Sequence, residues 1–182
     1  MKPIAYTLSL EPDLRRYTFS GTTSVIIETE TPVTKIHLDS VALNIRRCAV
    51  VAGTVEKETD FSVDRDRGIL TVLLPEPAQD RFTVSVAFSG ELNDSMAGFY
   101  RSNYGGERCF AVTQFEENDA RRAFPCFDKP GLKAEFSIEM IVDSDVTAIA
   151  NTPVRFEEPV GPNKKRVVFE KTPRMSTYLL FF

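Results

Sequence analysis

Residues 17–28, YTFSGTTSVIIE, alternate closely enough to limit what this chain can become. Tyr17, Phe19, Gly21, Thr23, Val25 and Ile27 fall on one side of an extended backbone, and Thr18, Ser20, Thr22, Ser24 and Glu28 fall on the other, with Ile26 the exception. Successive side chains of a strand point to opposite faces, so this pattern makes a strand with one dry and one wet side. The same alternation puts Phe82, Val84, Val86 and Phe88 inward against Arg81, Thr83 and Ser85. It recurs with Phe136, Ile138, Met140 and Val142 inward against Glu135, Ser137 and Glu139.

Shorter runs predict further strands at 4–10, 35–40, 45–53, 69–74, 108–115, 146–150, 166–170 and 176–182. Turn chemistry separates them at 64–68 (DRDRG), 75–80 (PEPAQD), 103–107 (NYGGE) and 161–165 (GPNKK). Regularly spaced strands with polar turns predict an all-β, antiparallel β-sandwich with at most short helical turns. One such turn is expected at ENDARRAF, capped by Asn118 or Asp119 and stopped by Pro125. Residues 1–182 read as one domain, with no repeat or Gly/Ser linker to divide them. The apolar run that reaches Phe182 without a polar tail leads us to expect that the chain belongs to a longer polypeptide.

A net charge of −4 offers no basic face for a phosphate backbone, so nucleic acid is not an expected partner. No stretch approaches the roughly 20 apolar residues that span a bilayer, and the N-terminus lacks the apolar core of a secretory signal. A membrane partner is therefore not expected, and a cytoplasmic location is. Cys48, Cys109 and Cys126 form no C-x-x-C pair and read as reduced, mostly buried thiols.

The chemistry these residues could carry is narrow. His37 is the only histidine, so no H-E-x-x-H or other two-histidine zinc site can form within the chain. It lies between Ile36 and Leu38, facing away from them, and reads as structural. No G-x-S-x-G elbow is present, and the Gly-Gly at 105–106 lacks the lysine and following helix of a phosphate loop. The unusual stretch is 113–128, TQFEENDARRAFPCFD, which packs acids and adjacent arginines between Phe115, Phe124 and Phe127. Charges so placed need partners or a ligand.

That stretch resembles the segment preceding the catalytic domain in zinc aminopeptidases of the aminopeptidase N type, which include puromycin-sensitive and tricorn-interacting enzymes. GFYRSNY at 98–104, DKPGLKAEFSI at 128–138, AIANTP at 148–153 and FEKTPRMSTYLLFF at 169–182 follow in that family's order and rough spacing. The resemblance covers the whole chain and is strongest from 98 to 182. It implies the N-terminal, saddle-like β-sandwich of a longer aminopeptidase, with a thermolysin-like zinc domain following and no cofactor held by this segment. It further implies that Gln114 and Glu116 bind the α-amino group at peptide N-termini, inside a cleft completed by the catalytic domain of the same polypeptide. The segment alone should be inactive. Two departures, Lys129 in FDKP where the family has Glu and Thr152 in NTP where it has Met, read as surface or turn changes.

Each feature has a plainer reading. Glu116 could instead pair with Arg121 or Arg122, and Asp119, Arg121, Arg122 and Asp128 could close one charge network that holds the loop. Residues i and i+2 share a strand face, so Gln114 follows Glu116 while Phe115 turns to the core. Cys126 reads as a small buried hydrophobe. Met175 and Tyr178 are expected at the contact with the following domain. A stand-alone β-sandwich binding or assembly module without catalysis accounts for the same strands and the same missing histidines.

Overall fold

The computed structural model describes residues 1–52, 55–106 and 108–182. Gly53, the expected end of the 45–53 strand, and Glu107, the last position of the 103–107 turn, lie outside the described residues. The architecture is an all-β sandwich with mostly antiparallel pairing. Its strands are β1 (Lys2–Asp13), β2 (Thr18–Asp39), β3 (Asn44–Ala52), β4 (Val55–Thr59), β5 (Phe61–Asp64) and β6 (Ile69–Glu91), then β7 (Gly98–Tyr104), β8 (Arg108–Gln114), β9 (Glu135–Asp143), β10 (Val154–Pro159) and β11 (Lys164–Phe169).

Two long strands, β2 and β6, pair with each other at the centre of a nine-stranded sheet, and β7 and β8 form a separate two-stranded one. The first half of β2 pairs with β1 from Thr18 to Glu28, and the last half of β6 pairs with β3 between Thr83 and Ser89. The second half of β2 continues alongside the first half of β6, where β5 adds at Ile69 to Val72. Between those halves the β2–β6 ladder slips at Thr29, Val33 and Lys35, and β6 passes from Leu73 to Ala78 without a paired residue. Pro75 and Pro77 fall in that gap, where a residue without an N–H costs no ladder bond. The turn expected at 75–80 is therefore a bulge within one continuous strand, and the strands expected at 69–74 and 81–88 are its two arms. Buried Val25, Ile27, Ile36 and Leu38 from both arms of β2 meet in one core.

The alternating faces fold as their pattern dictates. Phe136, Ile138, Met140 and Val142 are all buried on β9, as are Phe19, Thr23, Val25 and Ile27 on β2 and Val84, Val86 and Phe88 on β6; Phe82 is half-buried. Tyr17 leaves the pattern for the β1–β2 turn at φ 56°. Gly21 is required: a Cβ there would lie 2.5 Å from the Ser9 carbonyl oxygen and 2.9 Å from Leu10 Cδ2.

Three expectations change. Residues 146–150 are irregular rather than a strand, because β9 already carries β1 in parallel on one edge and β11 on the other. Residues 176–182 form a 3-10 turn at Thr177–Leu179 with extended flanks, tied to the Asn151 side chain and to Thr113 instead of joining a ladder. β4, β5 and β10 arise where no alternation announces them; β4 and β10 end the main sheet and are almost wholly exposed, so their side chains need not sort by polarity. The short helical turn does appear, at Ala120–Arg122 with Asp119 in the N-cap position, although the Asp119 side chain makes no cap hydrogen bond.

An unbroken chain of rings joins the nine-stranded sheet to the β7–β8 pair and the C-terminal residues. Phe19 meets Phe88 and Phe99, Phe99 meets Phe182, Phe182 meets Phe115, and Phe115 meets Phe124, with centroids 5.1–6.4 Å apart. Tyr6 closes it, edge-on to Phe124 and stacked 5.0 Å from Phe136. Edge-to-face pairs of this kind add about 0.5–1.5 kcal/mol each beyond area burial. They fix the end of β8, where the unusual stretch begins.

Candidate functional site

β8 ends on a corner whose side chains alternate between core and water. Thr113 is buried and exchanges bonds with the last residue: its N–H donates to the Phe182 carbonyl at 3.2 Å, and the Phe182 N–H donates to Thr113 Oγ1 at 3.1 Å. Gln114 and Glu116 are exposed, whereas Phe115 between them is 1% exposed and clamped by Phe124 and Phe182. The Asp119 N–H donates to the Phe115 carbonyl at 2.9 Å and turns the chain back. The Glu116–Glu117 peptide is cis. The corner thus holds its backbone from below and leaves an amide and a carboxylate facing outward.

The nearby arginines are committed elsewhere. Arg121 donates from Nε to Asp128 Oδ2 at 2.9 Å and pairs through its Nη1 with Asp39 at 3.2 Å. Arg122 donates from Nε to Asp119 at 2.6 Å. Among the described residues Glu116 has no ion-pair partner, and neither Gln114 nor Glu116 makes a side-chain hydrogen bond. The single closed network expected among Asp119, Arg121, Arg122 and Asp128 is in fact two separate clusters.

The larger cluster recruits residues that the linear stretch does not contain. Asp128, with a side chain only 1% exposed, accepts from Arg121 Nε and from the Arg121 N–H, and its Oδ1 accepts from the Thr177 hydroxyl at 2.7 Å. Asp39 Oδ2 accepts from the Asp128 N–H at 3.0 Å, and the Asp39 backbone exchanges bonds with Cys126. One knot therefore ties the end of β2, the 120–128 loop and the C-terminal turn. Burial tends to lower the Arg121 pKa, but its hydrogen bond to Asp128 and the charge of Asp39 outweigh it and raise the value. Burial first, and the nearby Asp128 and Asp39 charges second, push the Cys126 thiol well above its usual range, so it stays protonated. The Tyr6 hydroxyl is raised by burial in the same way and accepts from the Phe127 N–H at 3.1 Å.

His37 is exposed on β2 and its Nδ1 lies 3.0 Å from Thr71 Oγ1 on the paired strand, in keeping with a structural role. Among the described residues no group of three or more His, Cys, Asp and Glu side chains is arranged to hold a metal ion. A zinc ion needs converging nitrogen, sulfur or carboxylate donors, and the corner offers adjacent carboxylates with no His or Cys beside them. These residues do not fit zinc. No described helix is long and apolar enough to cross a membrane. Lys129 is exposed and Thr152 sits in a bend with its hydroxyl donating to the Glu170 carbonyl, so the two departures lie at a surface and a turn. Met175 and Tyr178, expected at a domain contact, are half-buried against the core, while Leu179 and Phe181 beside them stand out, 49% and 41% exposed.

Comparison with known proteins gives a consistent set of relatives. Residues 2–179 match the family described as the peptidase M1 N-terminal domain. The chain is 39% identical over 189 residues to the puromycin-sensitive aminopeptidase of Caenorhabditis elegans, covering 100% of this chain and 20% of that protein. It is 35% identical over 191 residues to the protein named "Aminopeptidase 2, mitochondrial" of Saccharomyces cerevisiae, covering 99% and 20%. It is 37% identical over 182 residues to aminopeptidase M1-D of Oryza sativa subsp. japonica, covering 98% and 21%. The chain spans about a fifth of the length of these relatives.

Proposed function

From a chain that belongs to the peptidase M1 N-terminal domain family, we propose the N-terminal substrate-recognition domain of a zinc-dependent aminopeptidase. In this reading the domain supplies Gln114 and Glu116 to bind the α-amino group of a peptide, and the catalytic domain of the same polypeptide supplies the zinc and the cleavage chemistry. The observation that carries it is the unpaired, outward-facing Glu116 carboxylate on a rigidly held corner, with both neighbouring arginines already neutralised by other acids.

The physical basis is charge selection. A protonated α-amine is a compact cation with three donors, and a partly desolvated carboxylate is its natural partner. Gln114 adds a neutral acceptor on the same face. An internal peptide nitrogen carries no charge, so a substrate bound away from its end would leave Glu116 desolvated and unpaired. Cleavage is thereby confined to chain ends. A charge-assisted hydrogen bond is worth about 1.5–3 kcal/mol, so its loss should lower kcat/KM by roughly 10- to 150-fold.

The test is steady-state kinetics of the full-length enzyme on amino-acid anilides. Glu116→Gln should raise KM and lower kcat/KM within that range, and Gln114→Ala should cost less. The 182-residue chain alone should show no peptidase activity. Unchanged kinetics in Glu116→Gln would rule out the role.

A further inference from the structure

An aspartate at an N-cap ordinarily accepts a backbone N–H two or three residues further on. Asp119 stands at the N-cap of the Ala120–Arg122 turn, yet its side chain makes no such bond. Its carboxylate engages Arg122 instead, whose Nε donates to Oδ1 at 2.6 Å. The two side chains are 28% and 43% exposed, and an ion pair in that setting adds little to stability. Position supplies another reason for the pair. Gly98 faces Gln114 across β7 and β8, and a Cβ on Gly98 would lie 2.5 Å from the Arg122 Cβ. Arg122 is therefore rooted on the strand end that carries Gln114. The Asp119 N–H returns to the Phe115 carbonyl at 2.9 Å and the Arg122 N–H to the Asp119 carbonyl at 3.1 Å, folding Arg122 back towards the corner that presents Glu116. Arg121 is no competitor, since Asp128 holds its Nε and Nη2 and Asp39 its Nη1.

We propose that Asp119 is a further specificity-determining residue: it holds Arg122 away from Glu116, so that the Glu116 carboxylate stays open to the ammonium group of a substrate. The inference rests on the proposed role of Glu116 and adds a residue to it. An arginine carries five N–H donors and pairs with a carboxylate as readily as a peptide amine does. Without Asp119, two effects oppose the amine. The released guanidinium competes for Glu116 as an occupant from the chain itself, and its charge, no longer offset, repels the incoming cation. Both effects vanish when Arg122 loses its charge, and both weaken in salt. A pair that only braced the fold would behave otherwise, because removing its second member cannot restore what removing the first took away. Asp119 thus favours the amine by disarming the one competitor that the corner itself supplies.

The experiment uses the full-length enzyme carrying Asp119→Asn, Arg122→Gln or both, and measures inhibition constants for an amino-acid-derived inhibitor and for its analogue lacking the α-amine. Asp119→Asn keeps the side-chain shape and should weaken the amine-bearing compound by roughly fivefold or more, with the analogue unchanged. The double variant should bind the amine-bearing compound within about twofold of the wild type, although it lacks the same ion pair. Raising the salt from about 0.1 M to about 1 M, which shortens the screening length from about 10 Å to about 3 Å, should shrink the Asp119→Asn effect. Equal weakening of both compounds, or no recovery in the double variant, would make the pair structural and overturn the proposal. An Asp119→Asn enzyme that binds both compounds normally would overturn it too, since the released Arg122 then turns to Glu117, the other exposed acid of the corner, or to water. Glu116→Gln is the separate arm. If it leaves the amine-bearing compound unaltered, the amine site fails and the proposal with it; if it weakens that compound while Asp119→Asn does not, the proposal alone fails.

Discussion

Removing the Asp128 side chain should be among the most damaging single changes in this chain. Its carboxylate is 1% exposed and serves three donors: Arg121 Nε at 2.9 Å, the Arg121 N–H at 3.2 Å and the Thr177 hydroxyl at 2.7 Å. Asp128→Ala would leave the Arg121 guanidinium, 23% exposed, with Asp39 as its remaining acid, and would orphan the buried Thr177 hydroxyl. Breaking a buried pair by deleting one partner costs about 3–5 kcal/mol, because the surviving charge stays desolvated. For a chain of this size that corresponds to a drop in Tm of about 6–20 °C. Deleting the other partner as well should recover much of the loss. In the Arg121→Met background, Asp128→Ala should cost at least about 1 kcal/mol less than in the wild type. The assay is urea unfolding of the four proteins in that cycle at neutral pH. A cost below about 1 kcal/mol, or a cycle with no coupling, would refute the view that this knot is one cooperative buried unit.

Further outcomes follow from other parts of the fold. Phe115→Ala removes the ring on which the corner rests and should cost about 3–5 kcal/mol in urea unfolding, whereas His37→Ala, on the exposed face, should stay within about 0.5 kcal/mol. Burial pushes the Cys48 thiol up from 9.0 to about 12, so above pH 9 the unfolded chain loses a proton that the folded chain retains. That stability is fully present below pH 9.0 and is lost as pH rises towards about 12, at about 1.4 kcal/mol per pH unit for one group. Cys126 and Tyr6, also raised, act in the same direction. Unfolding midpoints measured from pH 8 to pH 11 should fall with pH, and Cys48→Val should make that fall shallower.

What the sequence revealed depended on whether a residue's environment is set by its neighbours in the chain. β9 was legible to the residue, because each of its side chains faces either the core or water in strict turn. Gln114, Phe115 and Glu116 were legible for the same reason. β2 and β6 were broken into halves because prolines and polar residues at the bend look like turns, and only the register of the partner strand reveals a bulge. β4 and β10 carry no buried face, so periodicity has nothing to detect. The charge cluster was misdrawn because proximity along the chain favoured Arg122, whereas the true partners of Asp128 include Asp39, 89 positions away, and Thr177, 49 positions away. Residues 176–182, STYLLFF, are apolar in a run and so predict a strand, but carry no alternation to show which side chains face the core. Their bonds instead go to the Asn151 side chain, to Thr113, to the Pro130 carbonyl and to the Asp128 carboxylate.

The account depends on Glu116 recognising the charged end of a peptide, and a two-by-two comparison tests that most directly. Inhibition constants would be measured for an amino-acid-derived inhibitor and for its analogue lacking the α-amine, each against the full-length wild type and Glu116→Gln. The account predicts that Glu116→Gln weakens the amine-bearing compound by roughly 10- to 150-fold and leaves the analogue unchanged. Equal weakening of both compounds, or of neither, would contradict it.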